Sequence, residues 1–141
     1  MTTTHYVDSS VILRVVLRQP DALEEWPRIE SAVASGLVEA ECLRTLDRLR
    51  LARGLPDGEI AVRREAVIDI LDSFTLVEPT WPVIRRASQP MPTSLGTLDA
   101  IHLATALLWQ EQEGTRITMA THDSALALAA RAQGMRVTGQ G

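Results

Sequence analysis

Four acidic residues in this chain have the types and the setting to act together: Asp8 in HYVDSS, Glu41 in SGLVEAECLRTL, Asp99 in SLGTLDAIHLATAL and Asp123 in ITMATHDSALALAA. Three of them follow an apolar run and open a helical one, which is where a βα-type chain puts the exit of a strand. In an open α/β sheet that edge binds ligands, so folding would gather residues that lie up to 115 positions apart. Carboxylates ~5 Å apart at an effective dielectric of ~20 repel by roughly 3 kcal/mol per pair. Protons or cations must therefore occupy such a cluster. At neutral pH a hard divalent cation, which demands oxygen ligands, is the better neutraliser.

Each acid also has a local explanation, because carboxylates favour helix N-caps and first turns. A cap accounts for one helix start at a time. It does not require three acids to follow strands, nor a fourth, Glu41, to join them from the face of a neighbouring helix. Glu39 is the local rival of Glu41, but it lies nearly opposite on the helical wheel and suits an exposed first turn. His102 follows Asp99 by three and shares its helix face, as a ligand, a proton shuttle or a hydrogen-bonded supporting residue. Ser10 and Thr121 stand two positions from Asp8 and Asp123, where a hydroxyl orients a carboxylate or caps backbone. Arg44 and Arg48 begin one turn beyond Glu41 and are the candidates for touching phosphates.

The elements that must position these residues can be read from periodicity. HYVD reads as a short buried strand, followed by a helix from Ser9 to Leu17 that Pro20 terminates. Asp21 precedes an expected helix over Glu24 to Ala34, with Pro27 as a kink and Gly36 as its close. An amphipathic helix is expected from Glu39 to Arg53, with Ala40, Leu43, Leu46 and Leu49 inward. Another follows from Asp57, as N-cap, to Ser73, its inner stripe being Ile60, Val67, Ile68 and Leu71. FTLVEP is a strand. Thr80 caps the short helix TWPVIRRAS, and Thr97 caps a long one to about Gln112 with Leu98, Ile101, Thr105 and Leu108 inward. ITMAT is a second clear strand, Ser124 to Gln133 an alanine-rich helix, and MRVTG a last strand. This succession favours a small parallel sheet with helices on both faces.

With 141 residues, 45% of them hydrophobic, the chain has the size of one domain, spanning 1–141, with a real core. It contains no apolar run of membrane-spanning length and its first residues enter a strand directly, so a soluble, cytoplasmic protein is expected. Cys42 is the single cysteine, which excludes an internal disulfide and zinc-type spacing. It reads as a small buried apolar residue. The net charge is −4 and all fourteen basic residues are arginine. Any contact with nucleic acid must use a local patch. Trp26, Trp81 and Trp109 are too dispersed for a stacking platform and read as core or dimer contacts.

Four segments together resemble the PIN-domain ribonucleases, in particular the VapC-like toxins of bacterial toxin–antitoxin pairs: YVDSSVIL, SGLVEAECLR, LDAIHLATAL and THDSALALAARAQGMRV. The resemblance runs from Tyr6 to Val137. It implies a three-layer α/β/α domain and a metal-dependent endoribonuclease with Asp8, Glu41, Asp99 and Asp123 as its acidic quartet. It also implies a homodimer and a cognate antitoxin that blocks the site. One or two Mg²⁺ or Mn²⁺ ions on the carboxylates would activate water and compensate charge on the phosphate. A receiver- or phosphatase-like domain with an acidic Mg²⁺ pocket would need a lysine beside it, and the chain has no lysine. The alternative from another class is a non-catalytic module of the same fold that binds RNA or protein. Binding alone gives no reason to set four acids against one another.

Overall fold

A computed structural model of the chain describes residues 2–140. Five short strands form one parallel sheet: β1 (Thr4–Val7), β2 (Ser31–Ser35), β3 (Thr75–Val77), β4 (Thr118–Ala120) and β5 (Arg136–Thr138). Six helices accompany them: α1 (Ser9–Val16), α2 (Leu37–Arg53), α3 (Asp57–Asp72), α4 (Trp81–Ala87), α5 (Thr97–Glu113) and α6 (Ser124–Ala132). The strand order is β3-β2-β1-β4-β5. From the central β1 the chain builds outward through β2 and β3, then crosses back to lay β4 on the other side. The order therefore reverses between β1 and β4, and the crevice beyond their carboxyl ends is where an open α/β sheet takes its ligands.

Side-chain alternation along β1 divides the core. Val7 joins Val11, Ile12, Val38, Cys42, Leu46 and Val67 beneath α1, α2 and α3. Tyr6 points the other way, into a second core with Val33, Leu103, Leu107, Met119 and Leu126 beneath α5 and α6. Helices cover both faces, giving the expected α/β/α layers. Leu103 and Leu126 are fully buried, so either one cut back to alanine would cost about 2–5 kcal/mol. Among the described residues no helix is long and apolar enough to cross a membrane.

The expected helix over Glu24 to Ala34 is not formed. Asp21 lies in a turn, ion-paired with Arg14 at 3.0 Å, Trp26–Arg28 makes one 3-10 turn, and Ser31–Ser35 is β2. SAVAS is buried from Ala32 to Ser35, as an inner strand of a parallel sheet must be, so it carries no alternation. Its alanines mimic helix propensity.

Smaller differences concern caps and phase. Asp57 and Thr97 are first residues of their helices, after Pro56 and Gly96, and the Thr80 side chain makes no capping bond. The buried line of α2 is Val38, Cys42 and Leu46, with Ala40 exposed. In α3, Ile68 faces out. In α5, every residue from Ala100 to Leu107 except Ile101 is buried, while Leu98 is 51% exposed. That helix is packed against α4, α6 and β2, and a helix covered on several sides has no single stripe to read.

Candidate active site

Asp8 directly follows β1 and is the N-cap of α1, accepting a hydrogen bond from the Ser10 N–H at 2.8 Å. The Ser10 hydroxyl donates to the same oxygen, Oδ1. Thr121, directly after β4, donates its hydroxyl to Oδ2 at 2.6 Å. With three donors on its two oxygens and only 4% of its surface exposed, the carboxylate is held in one orientation. The scaffold is reinforced in turn: the His122 N–H donates to Ser10 Oγ at 2.9 Å and the Asp123 N–H to Thr121 Oγ1 at 3.0 Å. Both of the hydroxyl residues singled out from spacing thus lie on Asp8.

Asp123 caps α6 through Oδ1, which accepts the Leu126 N–H at 2.9 Å. Asp99 stands in the first turn of α5. The positive ends of α1, α5 and α6 therefore all meet carboxylates. Burial, followed by the charges of Asp123 and Asp8 and more weakly Glu41, pushes the Asp99 carboxyl up to about 6, with His102 opposing. All three other acids contribute to that shift, which places their charges near Asp99 although they come from different parts of the chain.

Glu41 reaches the cluster from the second turn of α2 and bonds His102 Nε2 through Oε1 at 2.6 Å. Burial alone would push the His102 imidazole down. The hydrogen bond and charge of Glu41 outweigh it and hold the pKa above its usual value. On its other side His102 Nδ1 lies 2.7 Å from the hydroxyl of Tyr6. Glu39 is exposed in the first turn of α2, away from the site, as the helical wheel indicates. Cys42 is buried, and burial with Glu41 and Asp8 nearby pushes its thiol up to about 12, which removes it from chemistry.

Beside Glu41 runs a groove of about 450 Å³ lined by Ser9, Leu37, Ala40, Arg44, Thr45, Arg48 and Leu98. Arg44 and Arg48 are both exposed on its wall, and Arg48 also donates to the Thr45 hydroxyl at 2.9 Å. Arg50 is occupied by Asp47 at 3.0 Å. A larger groove of about 660 Å³ lies at the start of the strands, with His5, Glu25, Arg28, Glu30 and Arg136 in its walls. It contains none of the four acids.

The donor set suits a hard divalent ion: four carboxylates, one of them, Asp8, oriented by two hydroxyls, on an edge where burial and like charge lift Asp99. Among the described residues no group of three His, Cys, Asp or Glu side chains is drawn together tightly enough to hold an ion. This is compatible with Mg²⁺, which keeps several waters and takes one or two carboxylates directly. The residue that spacing did not reveal is Tyr6. It sits inside an apolar strand, and its partner is 96 positions away, so only its being the chain's single tyrosine marks it.

The domain is thus a three-layer α/β/α fold whose parallel sheet carries acidic residues at its switch point. The chain belongs to the PIN-domain family, whose model matches residues 5–132. Ribonuclease VapC46 of Mycobacterium tuberculosis is 36% identical over 135 residues, covering 94% of each chain. Ribonuclease VapC47 of the same species is 32% identical over 101 residues, 72% of this chain and 73% of that one. Among solved structures, a toxin–antitoxin complex from Klebsiella pneumoniae superposes with a TM-score of 0.67 at 16% identity, over 96% of this chain and 98% of the other.

Proposed function

We propose that this protein is a metal-dependent endoribonuclease that acts as the toxin of a toxin–antitoxin pair. The observation that carries the reading is Asp8, fixed by Ser10 and Thr121 at the switch point, beside an Asp99 raised by burial and by the charges of Asp123, Asp8 and Glu41. The relationship to two VapC ribonucleases along the chain supports the choice of RNA and of the toxin role.

Asp8 and Asp99 would hold Mg²⁺ or Mn²⁺ directly, with Glu41 and Asp123 as ligands directly or through water. When bound, the ion supplies charge compensation at the phosphate and lowers the pKa of an attacking water. The chain's own residues do the remaining work. Ser10 and Thr121 keep Asp8 in a single orientation. A carboxylate oxygen of the cluster receives the proton that leaves the attacking water. Arg44 and Arg48 bind backbone phosphates in the groove beside Glu41, and His102 holds Glu41 in place. In an acidic protein this local basic wall, paired with its copy in a homodimer, forms the RNA path. A cognate antitoxin protein covers the site in the resting complex.

The test is cleavage of end-labelled RNA by purified protein with Mg²⁺ or Mn²⁺, with EDTA, and by Asp8→Asn. Cleavage that requires the metal and disappears in the variant is expected. RNA cut equally well in EDTA, or by Asp8→Asn, would overturn the reading. Co-expression with the product of the adjacent reading frame should yield a stable complex that no longer cuts.

A further inference from the structure

Behind Glu41 a line of hydrogen bonds passes through the core. The Ser35 N–H, at the end of β2, donates to Tyr6 Oη at 3.1 Å. The same hydroxyl lies 2.7 Å from His102 Nδ1, and His102 Nε2 lies 2.6 Å from Glu41 Oε1. Ser35 and Tyr6 are 0% exposed and His102 is 1% exposed. The rings of Tyr6 and His102 meet edge to face, with centroids 5.9 Å apart. Packing alone does not ask for these polar groups. Their surroundings include Val33, Leu103, Leu107 and Met119, among which phenylalanine and leucine would carry no desolvation cost.

The direction of the protons follows from which atoms can donate. The Glu41 carboxylate only accepts, so His102 Nε2 carries a hydrogen. In the neutral imidazole Nδ1 is then a lone pair, and the Tyr6 hydroxyl is the donor that faces it. The Ser35 N–H takes one lone pair of the phenol oxygen; Thr105 is also a neighbour of that oxygen, but its own hydroxyl donates to the Ile101 carbonyl, and the 2.7 Å contact with His102 Nδ1 takes the phenol proton. Oε1 of Glu41 is engaged by the protein, whereas Oε2 has no hydrogen-bonding partner among the described residues.

We propose that Tyr6 is a positioning residue: by fixing the ring and tautomer of His102 it holds Glu41 with Oε1 turned inward and Oε2 presented to the acid cluster. The proposal rests on the metal-dependent reading of that cluster, since a presented oxygen matters only if something is bound there. It adds to the four acids a buried residue that touches neither metal nor RNA. Partners of this kind tune metal affinity by orienting the ligand.

The experiment uses the whole protein and Mn²⁺ as the probe. Long-range proton–nitrogen spectra of the metal-free wild type, with His102 assigned by its loss in His102→Gln, should show Nε2 protonated and Nδ1 accepting. In Tyr6→Phe, His102 should become a mixture of tautomers, and Mn²⁺ affinity measured calorimetrically should fall about tenfold. Val67→Ala, in the core cluster on the other side of the sheet, serves as a control that lowers the melting temperature without touching the line, and it should leave Mn²⁺ affinity unchanged. His102→Gln, whose amide N–H can still reach Glu41, should keep affinity within about threefold of wild type, whereas His102→Leu should lose as much as Glu41→Gln.

A wild-type His102 whose neutral ring carries its proton on Nδ1 and not on Nε2 would overturn the proposal. So would wild-type Mn²⁺ affinity in Tyr6→Phe, or an equal loss in Val67→Ala. Protein that binds Mn²⁺ in the expected pattern yet leaves RNA uncut removes the ribonuclease reading and keeps the role of Tyr6. Normal RNA cleavage with Mn²⁺ affinity indifferent to Tyr6 does the reverse.

Discussion

Thr121 donates its hydroxyl to Asp8 across 113 positions of sequence, at 2.6 Å, and the same oxygen accepts the Asp123 N–H. One buried hydroxyl thus joins the ends of β1 and β4 at the point where the strand order reverses. Thr121→Val keeps the shape and removes both bonds, leaving a buried carboxylate oxygen and a backbone N–H short of a partner. A loss of about 1–3 kcal/mol is expected. Thr121→Ser should recover most of it, as read by urea denaturation. Equal stability of the valine variant and wild type would mean that the hydroxyl bridge contributes nothing.

Asp99 gives the metal-free protein a defined pH dependence. Burial, then the neighbouring acids, raise its folded pKa to about 6 from the ordinary 3.8. A carboxyl raised on folding contributes stability that is full below its unfolded pKa and is lost as pH rises through the folded one. In EDTA, stability should therefore fall between about pH 4 and pH 6 relative to Asp99→Asn, which cannot ionise. Parallel melting curves of the two proteins across that window would show that Asp99 is not repelled by its neighbours.

Glu41 and Glu39 lie two positions apart on α2, one bonded to His102 and one exposed. Glu41→Gln should abolish metal-dependent cleavage and growth inhibition on expression. Glu39→Gln should change either by less than about threefold, or ~0.6 kcal/mol. A reversed result in an RNA-cleavage assay would move the active face of α2 by half a turn.

Arg44 and Arg48 carry the prediction for RNA. Replacing both with alanine should weaken binding by a similar factor for cleavable and uncleavable RNAs, because phosphate contacts carry no sequence information. The log–log salt dependence should become shallower by about 1.4, at ~0.7 per contact on single strands. An unchanged slope in a filter-binding titration would place the RNA path elsewhere.

Asp8 and Asp123 were legible because each follows a buried strand that the eye can delimit, whereas Asp99, expected at a strand exit, follows the loop after α4, and Glu41 lies within α2. Asp8 and Asp123 also turned out to be caps, with bonds to the Ser10 and Leu126 amides. The capping reading and the clustering reading were therefore never exclusive. β2 was not legible, since Ala32, Val33 and Ala34 are covered on both sides and small, which erases the period-two signal of a half-buried strand. The phase of α5 was blurred for a related reason, burial nearly all round from Ala100 to Leu107. Tyr6 escaped because its meaning depends on His102 and Ser35, and no local pattern encodes a partner 96 or 29 positions away.

The sheet order also sets a timetable. β1 is made first, yet one of its neighbours, β4, is made near the end, and Asp8 waits for Thr121. At about 5–20 residues per second, a chain still on the ribosome passes several seconds with its first acid exposed and its last not yet synthesised. Because contacts so distant in sequence form slowly, the four carboxylates come together only once the chain through the start of α6 is available. In the function proposed above, the site is thereby incomplete until the chain through α6 has emerged, a delay that follows from topology.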